Sequence, residues 1–284
     1  MWIAESIEQA RRRRGELAGS VALVPTMGML HRGHLSLLEA ARGHGEQVIV
    51  SIFVNPAQFG PDEDFEQYPR RLEEDLAACR EGGATGVFAP DRSEMYPPDA
   101  IESAVTVPSL AVDLEGRFRP GHFAGVCRVV LKLLHIIQPD CAWFGQKDYQ
   151  QWLLVHRLVG DLNLPVRIER ALTVREPEGL ALSSRNQYLQ GDQRRHALGL
   201  VKALREAKML IEESDETDPQ VVEGAMTRTM LAHHVKVDYA VLRHPRSLAP
   251  MDCIEPQLTG GVVALVAGHV GQARLIDNMI ITGQ

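Results

Sequence analysis

The chain has 284 residues, 45% of them apolar, and a formal charge of −7. That length holds one large domain or two of ordinary size around a sizeable core. The acidic balance disfavours a nucleic-acid partner, which usually meets a basic excess, and no apolar run is long enough to span a membrane.

The first twenty residues lack the apolar stretch of a secretion signal, being interrupted by Glu5 and Glu8. Arg11 to Arg14 reads as the basic last turn of a short helix that Gly15 stops. Val21 to Pro25 follows as a strand and Leu35 to Arg42 as a helix. Gln47 to Val54 is a β-branched strand. Pro69 to Glu81 reads as a helix ended by Gly82 and Gly83, with Val87 to Ala89 as the next short strand. Val126, Val129, Val130, Leu133, Leu134 and Ile137 recur at helical spacing. Ala142 to Gly145 then reads as a strand and Tyr149 to Gly160 as a helix. This alternation predicts a parallel sheet with helices on both faces and ligands beyond the carboxyl ends of its strands.

After a boundary near Thr173 the pattern changes. Gln193 to Glu213 is a long helix, Ser214 to Pro219 an acidic loop with Asp218-Pro219 opening the next helix. Lys236 to Leu242, Gly261 to Ala267 and Ala273 to Ile281 are strands. These predict a smaller α+β domain. Cys79, Cys127, Cys141 and Cys253 are dispersed without a CxxC pair, so they read as small hydrophobes in a reducing, cytoplasmic setting.

Four segments carry the chemistry. Val21 to Leu38 runs from a strand through a glycine turn into a helix that opens near His31 and His34. A helix start offers unpaired N–H groups and partial positive charge to a phosphate, and two histidines three residues apart share one face. Ser51 to Arg70 puts Asn55 and Gln58 where a buried strand ends, and a glutamine can grip both a carboxylate and a hydroxyl. Glu74 and Asp75 beyond it read as a solvated helix face, with magnesium binding as the lesser alternative. Arg119 to Val126 (RPGHFAGV) precedes Phe144 to Gln151 (FGQKDYQQ). There Lys147 suits phosphates, Asp148 suits ribose hydroxyls, and Gln151 is expected on the same helical face as Lys147. Gly179 to Asn186 (GLALSSRN) reads as a loop between domains whose Ser and Arg side chains form a phosphate clamp, or as a plain turn and cap.

PTMGMLHRGH, FVNPAQF, YPR, RPGHFAGV, FGQKDYQQ and LALSSRN, in this order, resemble the pantothenate synthetase (pantoate–β-alanine ligase) family, densely over residues 20–190. The resemblance implies an α/β fold, with a Rossmann-like nucleotidyltransferase (HUP-type) domain for ATP and pantoate over 1–173 and an α+β lid domain over 174–284. It implies condensation of pantoate with β-alanine to pantothenate, AMP and pyrophosphate through a pantoyl-adenylate. It places His34, His31 and Lys147 in catalysis. It places Met27, Gly28, His31, His34, Gly145, Gln146, Lys147, Asp148, Val174, Leu182, Ser183, Ser184 and Arg185 on ATP, and Gln58 and Gln151 on pantoate. ATP with Mg2+, the metal's ligands unassigned beyond Asp75, and a cytoplasmic homodimer complete the expectation. A nucleotidyltransferase that stops at adenylyl transfer would not need Gln58 and Gln151. A non-catalytic nucleotide-binding module would not need the full His, Lys, Ser and Arg set. A tRNA-binding relative would need a basic domain.

Overall fold

The computed structural model describes residues 1–44, 47–61, 63, 65–99, 101–255 and 260–282. The chain divides into two compact units, residues 1–146 with 150–172, and residues 147–149 with 173–284.

In the first unit the elements run β1 (Trp2–Ala4), α1 (Ile7–Gly15), β2 (Val21–Thr26), α2 (Arg32–Gly43), β3 (Gln47–Ile52), α3 (Leu72–Glu81) and β4 (Gly86–Phe88). Three short helices follow, α4 (Arg92–Met95), α5 (Pro108–Ala111) and α6 (Glu115–Phe118), then α7 (His122–Ile137), β5 (Cys141–Gly145), α8 (Tyr149–Asp161, whose first residue groups with the second unit) and β6 (Arg167–Ala171). The six strands form one parallel sheet in the order β1-β4-β3-β2-β5-β6. Its central strands are apolar on both faces. Val21, Ala22, Leu23, Val24, Val48, Ile49, Val50, Cys141 and Ala142 are all 0% exposed, as a sheet covered by helices requires. Strand order reverses between β2 and β5, because the chain first builds outward through β3 and β4 and then returns to the other side of β2. The carboxyl ends of β2 and β5 therefore flank the crevice where this architecture binds ligands.

The second unit contains α9 (Gln193–Glu212), α10 (Pro219–Ala232), β7 (Lys236–Arg243), β8 (Val262–Val270) and β9 (Ala273–Ile281). The strands form an antiparallel sheet in the order β7-β8-β9. Leu200, Leu204, Met226 and Met230 of the helices pack with Leu242, Val266 and Leu275 of the sheet in its core. Asp218 caps α10, its Oδ1 accepting from the Gln220 N–H at 2.8 Å.

The parallel sheet and the smaller α+β unit are as the sequence leads one to expect. The differences lie at the edges. Trp2–Ala4 and Arg167–Ala171 are strands that the sequence pattern does not announce, and both sit at the sheet's borders. The second alternates Arg, Ile, Glu, Arg and Ala and is only half-buried, so it has no apolar run to read. Helix α3 starts at Leu72 rather than Pro69. Strand β8 continues three residues past Ala267.

Candidate functional site

The turn after β2 is shaped by Asp75. This carboxylate, 3% exposed on α3, accepts from the Met29 N–H at 3.0 Å and the Leu30 N–H at 2.7 Å, one on each oxygen. Met29 takes a left-handed φ of 52° and Gly28 a φ of 83°. A Cβ on Gly28 would lie 2.8 Å from Asp75 Oδ2, so only glycine lets the carboxylate approach this loop. Burial raises the Asp75 pKa, and the two backbone N–H bonds oppose that rise. Both oxygens are thus engaged by the chain itself. The acidic pair expected as a solvated face splits, with Asp75 turned inward and Glu74 outward beside Arg71.

The loop delivers His31 to the N-cap of α2. His31 Nδ1 accepts from the Gly33 N–H at 3.1 Å, and His34 Nδ1 accepts from the His31 N–H at 3.3 Å. Two imidazoles do here what Ser and Glu do in a capping box. The consequence is chemical. An accepting Nδ1 carries no proton, so each neutral ring bears its hydrogen on Nε2. The rings lie with centroids 4.2 Å apart. The helix start thus bears two imidazole N–H groups, while the backbone N–H groups of His31, Gly33, His34 and Leu35 are bonded within the cap.

Beyond β3, Asn55 is 1% exposed and fully used. Its Oδ1 accepts from Ala57 N–H and Tyr96 Oη–H, and its Nδ2 donates to Gly125 O at 3.1 Å and to Gln58 Oε1 at 2.9 Å. Gln58 also donates from Nε2 to Met27 Sδ at 3.1 Å. Its backbone carbonyl accepts from His122 Nδ1 at 2.8 Å and from Arg119 Nη2 at 3.4 Å. Arg119 in turn forks onto Glu63 at 2.7 and 2.6 Å and reaches His122 Nε2 at 3.1 Å. Burial and the neighbouring guanidinium push the His122 pKa down to about 4, so it stays neutral with Nδ1 as donor and Nε2 as acceptor. RPGHFAGV is therefore the brace of Gln58. The motif is visible in the sequence, but the role of its residues is not.

After β5, residues 146–148 form a 3-10 turn and α8 begins only at Tyr149. Lys147 and Gln151 therefore do not share a face of one α-helix, as the four-residue spacing suggests, and they fall in different units. Lys147 Nζ lies 3.6 Å from Asp148 Oδ1. Gln150, rather than Gln151, is buried. It holds the backbone of residues 110–115 through Leu110 O, Asp113 O and the Glu115 N–H. Gln151 is half-buried on the first turn of α8.

GLALSSRN belongs to the second unit rather than to a link between units. Residues 174–182 fold back on themselves, with Leu182 N–H donating to Val174 O at 3.0 Å and Arg175 pairing with Ala181. Ser183 caps the following 3-10 turn (Ser184–Tyr188) by accepting from the Arg185 N–H at 3.3 Å. Met27, Gly28, His31, His34, Gln58, Gly145, Gln146 and Gln151 are thus gathered on the first unit. Lys147, Asp148, Val174, Leu182, Ser183, Ser184 and Arg185 are on the second. Among the described residues no group of three His, Cys, Asp or Glu side chains could hold a metal ion, and no helix is long and apolar enough to cross a membrane.

A family model described as pantoate-beta-alanine ligase matches residues 2–280. A pantothenate synthetase of Thermosipho africanus is 44% identical over 284 residues, covering 99% of this chain and 100% of the relative. One of Moorella thermoacetica is 48% identical, covering 96% and 93%. The crystal structure of pantothenate synthetase from Thermus thermophilus superposes with a TM-score of 0.92 at 41% identity over 99% of this chain and all of that one. Pantoate-beta-alanine ligase from Francisella tularensis, solved with beta-gamma ATP and beta-alanine, gives 0.80 at 33% identity over 99% and 97%.

Proposed function

This chain belongs to the pantoate–β-alanine ligase family, and on that premise we propose that it joins pantoate to β-alanine with ATP through a pantoyl-adenylate. A pantoate carboxylate oxygen attacks the α-phosphorus of ATP and the bond to the β-phosphate breaks, releasing pyrophosphate. The β-alanine amine then attacks the acyl carbon and loses a proton as the carbon–oxygen bond to AMP breaks. Neither step requires a covalent enzyme intermediate, so positioning and charge stabilisation carry the rate.

The observation that carries this reading is the pair of imidazoles capping α2. Their Nδ1 atoms are committed to the helix start, so each neutral ring carries its hydrogen on Nε2. We read His34 and His31 as donors to the charge that grows on departing pyrophosphate, beside Met27, Gly28, Gly145 and Gln146. Lys147, Val174, Leu182, Ser183, Ser184 and Arg185 of the second unit, which we read as the lid, are read as ATP contacts, and Asp148 as an acceptor from ribose. Gln58 and Gln151 hold pantoate. Asn55 occupies the Gln58 carbonyl oxygen and Met27 Sδ takes one amide hydrogen, so we read the second NH2 hydrogen of Gln58 as the one that serves a ligand oxygen. Mg2+ enters on the phosphates of ATP, a reading supported by the engagement of both Asp75 oxygens with backbone. A cytoplasmic homodimer completes the proposal.

The test is release of pyrophosphate and AMP from purified protein with ATP, Mg2+ and D-pantoate, with and without β-alanine. Pantoate-dependent pyrophosphate, with steady AMP and pantothenate only when β-alanine is added, is the expected result. Pyrophosphate release that ignores pantoate would instead mark a simple adenylyl transferase. Light scattering of the same preparation reads the dimer.

A further inference from the structure

Strand β9 places two adjacent side chains that the chemistry above does not use. Asp277 and Asn278 are 3% and 1% exposed. Asp277 pairs with Val266 across the ladder and Asn278 with Leu265. Successive residues of a strand address opposite faces, so the two side chains leave β9 in opposite directions.

On one face, Asp277 takes the Arg175 guanidinium in a two-pronged ion pair, Nη1 to Oδ2 at 2.6 Å and Nη2 to Oδ1 at 2.9 Å. Arg175 also donates to Gly179 O at 3.0 Å and Asn278 O at 3.3 Å, and Asp277 Oδ1 accepts from the Asn278 N–H at 2.8 Å. Arg175 sits in the fold-back of residues 174–182, from whose end Ser183, Ser184 and Arg185 continue. Asn186 closes the same fold-back, donating to Ala181 O at 3.0 Å and Glu176 Oε1 at 3.1 Å. On the other face, Asn278 Nδ2 donates to the backbone carbonyl of Lys147 at 2.8 Å. The Tyr149 hydroxyl, donating to Pro245 O at 2.9 Å, ties the same short segment to the second unit.

We propose that β9 is a registration strand, whose Asp277 and Asn278 fix the Ser183–Arg185 segment and Lys147 at one mutual spacing so that both meet the phosphates of a single ATP. Asp277, Asn278 and Arg175 are positioning residues. The proposal rests on the reading of Lys147 and Ser183–Arg185 as phosphate contacts. Stability alone does not explain the arrangement. A buried ion pair is often no more stabilising than apolar residues of the same volume, because desolvation offsets its attraction. What the fork supplies is direction, since a guanidinium on a carboxylate has one favoured geometry and apolar packing has many.

The experiment uses Asn278→Leu, with Asn278→Ala as a smaller second change, and the double variant Arg175→Met/Asp277→Leu, which removes both charges together. ATP affinity is measured by equilibrium dialysis, and pantoate KM by pyrophosphate release, on proteins shown folded by circular dichroism. The expected result is ATP affinity weakened about tenfold or more, with pantoate KM within about twofold of the parent, since Gln58 and Gln151 lie on the other unit. ATP affinity within about twofold of the parent overturns the proposal. Equal weakening of ATP and pantoate also overturns it, because that is the mark of a general structural defect. A parent protein that binds ATP but shows no pantoate-dependent turnover would sink the ligase reading instead, and the dialysis comparison would still judge β9.

Discussion

The two units hold their proposed ATP contacts by different means. In the first, the histidines are placed by their own neighbourhood. His31 and His34 cap the helix they begin, through bonds spanning two and three residues. In the second, Lys147 is held by Asn278, 131 residues away, and Arg175 by Asp277, 102 residues away. Local bonds form wherever the segment folds, so they tolerate change at a distance. Remote bonds exist only when the whole sheet has formed in register. The first unit thus carries its donors on a locally capped motif with one outside brace, Asp75, and the second makes its contacts contingent on global folding.

The largest effects should come from removing one proposed phosphate contact on either unit. His34→Ala removes an N–H donor and part of the cap, and should lower kcat for pyrophosphate release by about 10²–10³-fold with circular dichroism unchanged. Lys147→Ala should cost a similar factor, and a protein of either kind that kept near-normal turnover would remove the residue from the proposed chemistry. Asp75→Asn comes next and tests whether the local motif needs outside help. An amide has one acceptor oxygen where the turn presents two N–H groups, so the loop should shift and kcat fall by about 10²-fold or less. Unchanged kcat would mean the caps alone suffice. Gly125→Ala probes the packing beneath Gln58, where a Cβ would lie 2.0 Å from Ala57 O. A loss of about 1–3 kcal/mol in urea unfolding is expected.

His122 gives a pH test. Its folded pKa is depressed to about 4 from the ordinary 6.5, so the unfolded chain binds the proton more readily. Stability is fully present above 6.5 and should be lost as pH falls from there toward 4, by on the order of 3 kcal/mol from this group. Urea midpoints across that range read the loss, and His122→Gln should flatten the acid limb while shifting the whole curve down. Asp218→Ala, which removes the cap of α10, should cost only about 1 kcal/mol and leave turnover alone.

The sequence made much of the first unit legible because its signals are short. Apolar strands running into PTMGMLHRGH and FVNPAQF, with helices between, suffice for the parallel sheet, the crevice and the histidines. It was silent where a role arises only from folding. Nothing in the run Leu275 to Met279 marks Asp277 and Asn278 as more than polar residues in a strand. Asp75 lies beside two glutamates on a helix and shows its difference only through burial. RPGHFAGV was visible as a motif, but that His122 braces Gln58 depends on a contact 64 residues long. Lys147 is expected on the face of Gln151 because four residues make about one turn of an α-helix, whereas the 3-10 turn that carries Lys147 has three residues per turn and breaks that alignment.

The turn between β8 and β9 has two residues, Gly271 and Gln272, with Gly271 at a φ of 59°. Such a turn sets which residue faces which across the hairpin. Because side chains alternate, a slip of one residue would send Asp277 toward Lys147 and Asn278 toward Arg175, exchanging a charge for an amide on both faces at once. Hydrophobic burial would discriminate weakly against that slip at Val262 to Ala267, which is apolar on both faces. On the proposed reading, the spacing of the phosphate contacts is therefore written partly in a glycine about 20 Å down the strand from Asp277 and Asn278, at a position remote from every residue assigned to the nucleotide.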